Sequence, residues 1–181
     1  MSRGLILCYG HAYDPSSTIG PKAELRPLPS YLPPGVIWTY IDKTPASLPD
    51  IVLDLNNSDL VLKTLGQERY EYVFIHTCIT FDISELINLL RTIKFLLKPG
   101  GYVIYPNGFR RFIHAYYYGK PNIDLETTLN TFLKAYNSDD PNYRTMILSL
   151  LQELQTMTGY QRTTFYEPIM GKRLGVLLLF K

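Results

Sequence analysis

Cysteine is scarce in this chain: two residues among 181, Cys8 and Cys78. Two cysteines cannot build the network of bridges that staples small secreted domains, so the default setting is a reducing, intracellular and cytoplasmic one. Long apolar runs are missing too, and none approaches the roughly 20 residues that span a bilayer, which argues against a membrane protein. The opening stretch, Met1 to Cys8, is too short for a signal peptide and reads as a first strand. Charge of neither sign prevails: the formal net charge is +2, too little to draw nucleic acid by its field alone. No phosphate-cradling glycine loop with its lysine is present, and no Ser/His/Asp nucleophile arrangement is visible.

What the chain does have is core-forming material. Hydrophobic residues make up 46% and charged residues 19%, the balance of a globular protein, and the length suits a single domain over 1–181. Fifteen tyrosines are many; they fit either an aromatic interaction surface or a bias of the source genome. Residues 4–10 form a short apolar run ending in glycine, as a buried parallel strand does. Residues 11–35 carry Pro15, Pro21, Pro27, Pro29, Pro33 and Pro34, a density that excludes a regular helix. Further strands are expected at Val36–Ile41 ending in Asp42, Ile51–Leu53 ending in Asp54, and Tyr72–Ile75 leading into His76. Asp82 and Glu85 make a capping-box start. Ile83, Leu86, Ile87, Leu90, Ile93 and Leu97 then share one helical face, with Lys94 and Lys98 at the end that favours cations. Pro99-Gly100-Gly101 is read as the stop, and Tyr102–Tyr105 as the fifth strand. Two more helices are expected, near 124–136 and from Asp140-Pro141 to Gly159. Two last strands follow, about 161–167 and 174–180, joined through Pro168–Arg173. Strands alternating with helices and closing on a strand pair predict a three-layer α/β sandwich. Its sheet would have about seven mostly parallel strands and an antiparallel C-terminal hairpin.

The run Phe95-Leu96-Leu97-Lys98-Pro99-Gly100-Gly101-Tyr102-Val103-Ile104-Tyr105 resembles the middle of a class I S-adenosylmethionine (SAM) dependent methyltransferase, a Rossmann-like fold. Tyr40-Ile41-Asp42-Lys43-Thr44-Pro45 followed by Pro49-Asp50-Ile51-Val52-Leu53-Asp54-Leu55 is similar to a variant of that family's pattern. The resemblance implies SAM as cofactor, lying across the carboxyl ends of the strands. Gly10 and Ala12 would form the loop beside the methionine part, Asp42 would accept the ribose hydroxyls, and Asp54 with Leu55 would meet the adenine, with His76 close by. An unknown methyl acceptor would approach His76 and Asn107, the two candidates for a catalytic role, and would be held by Asn107, Arg110 and Arg111. Aligning acceptor and sulfonium is then most of the protein's task. Asp42→Ala is expected to abolish cofactor binding while sparing the fold.

Other readings of the same residues stand beside these. Asp42 and Asp54 equally suit turn caps where strands leave a sheet. Cys8, His11, His76 and Cys78 are soft ligands on neighbouring strands, but C-x2-H and H-x-C match no strong zinc spacing, so no metal is expected and buried thiols are the simpler assignment. Asn107-Gly108-Phe109-Arg110-Arg111 and Tyr116-Tyr117-Tyr118-Gly119-Lys120 pair arginines with rings that would stack on a nucleotide or RNA end, or else cover the core. No Asn-Pro-Pro-Tyr follows the fourth strand, which leaves base amino-methylation unsupported. The glycine loop is thin: after Gly10 the next position holds Ala12, and no further glycine comes until Gly20. A pseudoenzyme is therefore the alternative, a methyltransferase-like fold kept as a structural or interaction subunit with a protein partner. A virion is one such setting.

Overall fold

The computed structural model describes residues 1–11, 28–76, 82–136, 140–166 and 175–181. Seven strands form one sheet in the order β3-β2-β1-β4-β5-β7-β6. They are β1 (Arg3–Leu7), β2 (Ile37–Asp42), β3 (Ile51–Val52), β4 (Tyr70–Ile75), β5 (Leu97–Pro106), β6 (Arg162–Tyr166) and β7 (Val176–Phe180). The first five run parallel, and β7 lies antiparallel between β5 and β6. The α/β sheet and its antiparallel C-terminal hairpin are as the sequence predicts. Strand order reverses beside β1, so the carboxyl ends of β1 and β4 form the switch point where open α/β sheets hold ligands.

Five α-helices accompany the sheet: α1 (Ser58–Leu65), α2 (Ile83–Leu96), α3 (Gly108–Tyr117), α4 (Leu125–Tyr136) and α5 (Pro141–Thr158). The Asp82 carboxylate caps α2 by accepting from the Glu85 N–H at 3.0 Å, and Asp140 does the same for α5 through Asn142 at 2.9 Å. All five helices feed one large core, built with Leu5, Leu7, Val73, Ile75, Val103, Leu177 and Leu179 of the strands. The alternate strand residues, Ile6, Phe74, Ile104 and Val176, form a second and smaller cluster with Tyr9 and Leu32. No described α-helix contributes to it; Leu28, Tyr31 and Leu32 of the proline-rich stretch cover this face instead. Most of the segment read as proline-rich, residues 12–27, lies outside the described residues, as does the 168–173 connection.

Three expectations need correction. Strand β1 ends at Leu7 rather than at residue 10, because Cys8 turns left-handed at φ 59°. Helix α2 ends at Leu96, and Leu97 and Lys98 already belong to β5. Pro99-Gly100-Gly101 is therefore not a turn between helix and strand but an irregularity within β5, where pairing with β4 jumps from Tyr70↔Leu97 to Tyr72↔Tyr102. Gly100 takes φ 80° there. A Cβ on Gly101 would stand 2.7 Å from the Glu71 carbonyl oxygen. Finally, α1 was not expected at all.

Candidate functional site

The carboxyl edge is built by the segments leaving β1, β2, β3 and β4. Beyond β1 the chain turns alongside the end of β2: the Tyr9 N–H donates to the Ile41 carbonyl at 3.2 Å and the His11 N–H to the Leu48 carbonyl at 3.2 Å. Gly10 sits between them, and its open side is filled by the protein itself. A Cβ there would stand 1.8 Å from the Ser47 carbonyl oxygen and 2.5 Å from its hydroxyl. Gly10 is thus required for the approach of the short 3-10 turn Pro45–Ser47.

Asp42 holds that turn. Its Oδ1 accepts from the Thr44 N–H at 3.1 Å, and its Oδ2 from the Ser47 hydroxyl at 2.9 Å. Ser47 is 1% exposed, so its hydroxyl depends on protein partners, which it finds in Asp42 and in the Thr44 carbonyl at 3.0 Å. Asp54 is exposed and accepts from the Asn56 N–H at 3.0 Å. Asn57 next caps α1, and Leu55 packs against the main core. Both aspartates therefore cap turns in this structure.

A group that sequence reading passed over lies beside them. Asp50 Oδ2 accepts from the Tyr40 N–H at 2.8 Å, and Oδ1 forms a 2.9 Å hydrogen bond with His11 Nε2. The His11 ring lies 3.9 Å from that of Tyr40. Burial works to raise the Asp50 carboxyl, but the Tyr40 N–H and then His11 outweigh it and hold it below its ordinary value. Burial, then Asp50, push the Tyr40 phenol up. No spacing rule joins His11 to Asp50; only the adjacency of β1 and β2 brings them together. His76 follows β4, with its ring edge-on to Tyr9 at 4.5 Å and its N–H on the Leu7 carbonyl. Ala12 lies outside the described residues.

The proposed acceptor residues stand at the start of α3. Asn107 is left-handed, φ 56°, and its carbonyl accepts from Arg111. Phe109 and Phe112 are buried, and Tyr116 and Tyr117 pack on the same core, so the rings there do cover it. Arg110 is exposed and Arg111 half-buried. Burial, then Arg111 and Arg110, press the His114 imidazole below its usual value. Of the soft-ligand set, Cys8, His11 and His76 lie among the described residues. Cys8 is disulfide-bonded rather than a thiol, contrary to the expected pair of reduced cysteines, and Cys78 lies outside the described residues. Among the described residues no group of three metal-holding side chains occurs. Nor is any described helix long and apolar enough to cross a membrane.

No family model and no curated protein matches the chain. Solved structures do. The CurJ carbon methyltransferase superimposes with a TM-score of 0.53 at 12% identity, over 99% of this chain and 48% of that one. A possible exported protein from Bordetella parapertussis gives a TM-score of 0.45 at 14% identity, over 82% and 54%. The Haemonchus contortus phosphoethanolamine N-methyltransferase 2 gives 0.32 at 16%, over 86% and 39%. This is the methyltransferase fold. The chain spans about half the length, or less, of these structures.

At the position where the fold would place SAM, the Cβ side of Gly10 is filled by the Ser47 carbonyl, and each oxygen of the Asp42 carboxylate accepts a bond from its own turn.

Proposed function

We propose that this chain uses a methyltransferase-like sheet as an interaction or structural scaffold, and not as a SAM-dependent catalyst. The observation that carries the reading is the contact of Ser47 with Gly10. In a live cofactor loop that glycine admits a ligand; here it admits the backbone of residue 47. Asp42 supports it, because a carboxylate that holds a buried hydroxyl and a turn N–H has a structural task whether or not a ribose ever arrives.

Calorimetric titration of the folded chain with SAM and with S-adenosylhomocysteine tests the reading. No heat of binding is expected from either ligand at millimolar concentration. Micromolar binding that vanishes in Asp42→Ala, with the variant still folded, overturns it and restores the methyltransferase.

A further inference from the structure

The face of the sheet without described helices carries a second pattern. One register row crosses six strands. Trp38 of β2 stands opposite Gly4 of β1, which also faces Tyr72 of β4. Tyr72 is opposite Tyr102 of β5, Tyr102 opposite Phe180 of β7, and Phe180 opposite Arg162 of β6. Gly4 is the one position without a side chain, and the Trp38 indole lies across it: a Cβ on Gly4 would stand 2.3 Å from the ring. The rings run in file, Trp38 to Tyr72 at 6.4 Å, Tyr72 to Tyr102 at 5.0 Å and Tyr102 to Phe180 at 5.0 Å. The Arg162 guanidinium closes the row 4.0 Å over Phe180.

The next row of the same face shows what an ordinary core does. Ile6, Phe74 and Ile104 are 0%, 0% and 3% exposed with only the flanking Tyr40 and Leu178 half-buried, whereas Trp38, Tyr72, Tyr102 and Phe180 all stay half-buried. Large rings left partly open in an unbroken file exceed what packing requires. Charge around the row favours a polyanion. Among the described residues, Lys98 and Lys181 are paired with Glu71 and Glu68, but Arg162, on the row beside Phe180, forms no salt bridge. The row itself holds no carboxylate.

We propose that this aromatic row binds single-stranded nucleic acid. Bases stack on the rings irrespective of sequence, and Arg162 at its rim meets a phosphate. A duplex hides the base faces that such a row needs. The row sits toward the amino ends of the parallel strands, away from the Gly10–Asp42 edge, so the inference stands whether or not that edge takes SAM.

Trp38 is the chain's single tryptophan, and stacking against it quenches its emission. The full chain is titrated with oligouridylate and oligo-deoxythymidylate of about ten nucleotides. Saturable quenching is expected at low salt. With one phosphate contact it weakens about threefold between roughly 50 and 200 mM salt. Tyr72→Leu and Tyr102→Leu, which keep apolar cover, each weaken binding about tenfold. Arg162→Glu, at an exposed position, weakens it with circular dichroism and thermal midpoint unchanged. The relative response to the two oligonucleotides tells RNA from DNA. Absence of saturable quenching with both overturns the proposal, as does unchanged affinity in Arg162→Glu and Tyr102→Leu. A Trp38 signal that changes with protein concentration alone, with dimers in sedimentation, assigns the row to a second copy of the chain and equally overturns it.

Discussion

A glycine at the end of a first strand lets something come close, and at Gly10 the thing that comes close is Ser47. Gly10→Ala would drive a methyl group into a backbone carbonyl 1.8 Å away, and backbone yields less readily than a flexible side chain. We expect a loss of about 1–3 kcal/mol, read from urea unfolding. A glycine kept only for a ligand would show no such loss. Asp42→Ala leaves the Thr44 N–H without its acceptor and the buried Ser47 hydroxyl with the Thr44 carbonyl alone, at a cost of about 1–2 kcal/mol, so the same unfolding series distinguishes a turn cap from a cofactor ligand that leaves the fold intact. Asp50 adds a pH signature. Its folded value lies below the ordinary 3.8, so its stabilising contribution is complete above the unfolded value and is lost as pH falls through the folded one. The thermal midpoint of Asp50→Asn should therefore fall less steeply than that of the parent between about pH 5 and pH 3. Because the side chain is 42% exposed, the difference will be small; a steeper fall in the variant would refute the assignment.

The elements divide by how they announce themselves. Helices α2 and α5 were legible because each has a cap and a long apolar face, and α5 also has a stop in Gly159 at φ 77°. Helix α1 went unread because it has eight residues and buries only Val61 and Leu65, too short a pattern for periodicity to register. The fifth strand was legible at its buried half, Tyr102–Tyr105, but not at Leu97–Gly101. There a proline and two glycines spell a turn locally, while pairing with β4 draws them into the sheet. At the site, Asp42 does end β2, while Gly10 and Asp54 lie beyond the ends of β1 and β3, and sequence could not show what faces them, because Ser47 meets Gly10 from the segment that follows the neighbouring strand. Elements are also tied to each other by single polar contacts. The Tyr160 hydroxyl, from a residue 2% exposed, donates to the Leu90 carbonyl at 2.7 Å and joins the end of α5 to α2. Tyr160→Phe leaves that carbonyl with one partner fewer while preserving the ring packing. It should cost about 1 kcal/mol, and a neutral result in denaturant unfolding would mean the bond contributes little to holding the helices together.

At the scale of the whole molecule the sheet is asymmetric. Among the described residues, five helices pack on one face, and Leu28, Tyr31 and Leu32 on the other. The Rossmann-like sandwich thus keeps its sheet while its second layer, among the described residues, is reduced to Leu28, Tyr31 and Leu32. Of these three, Leu32 is the buried one, at 9% exposure. Leu32→Ala and Leu90→Ala both delete a buried side chain, and each is expected to cost about 2–4 kcal/mol. They should differ in what the native state reports. Trp38 belongs to the cluster that Leu32 covers and not to the one that holds Leu90. The native emission of Leu32→Ala should therefore shift to the red as water reaches the indole, while Leu90→Ala, on the opposite side of the sheet, leaves the emission maximum where it was. An equal shift in both would mean that the two faces do not open independently, and that one cooperative core, not two, maintains the fold.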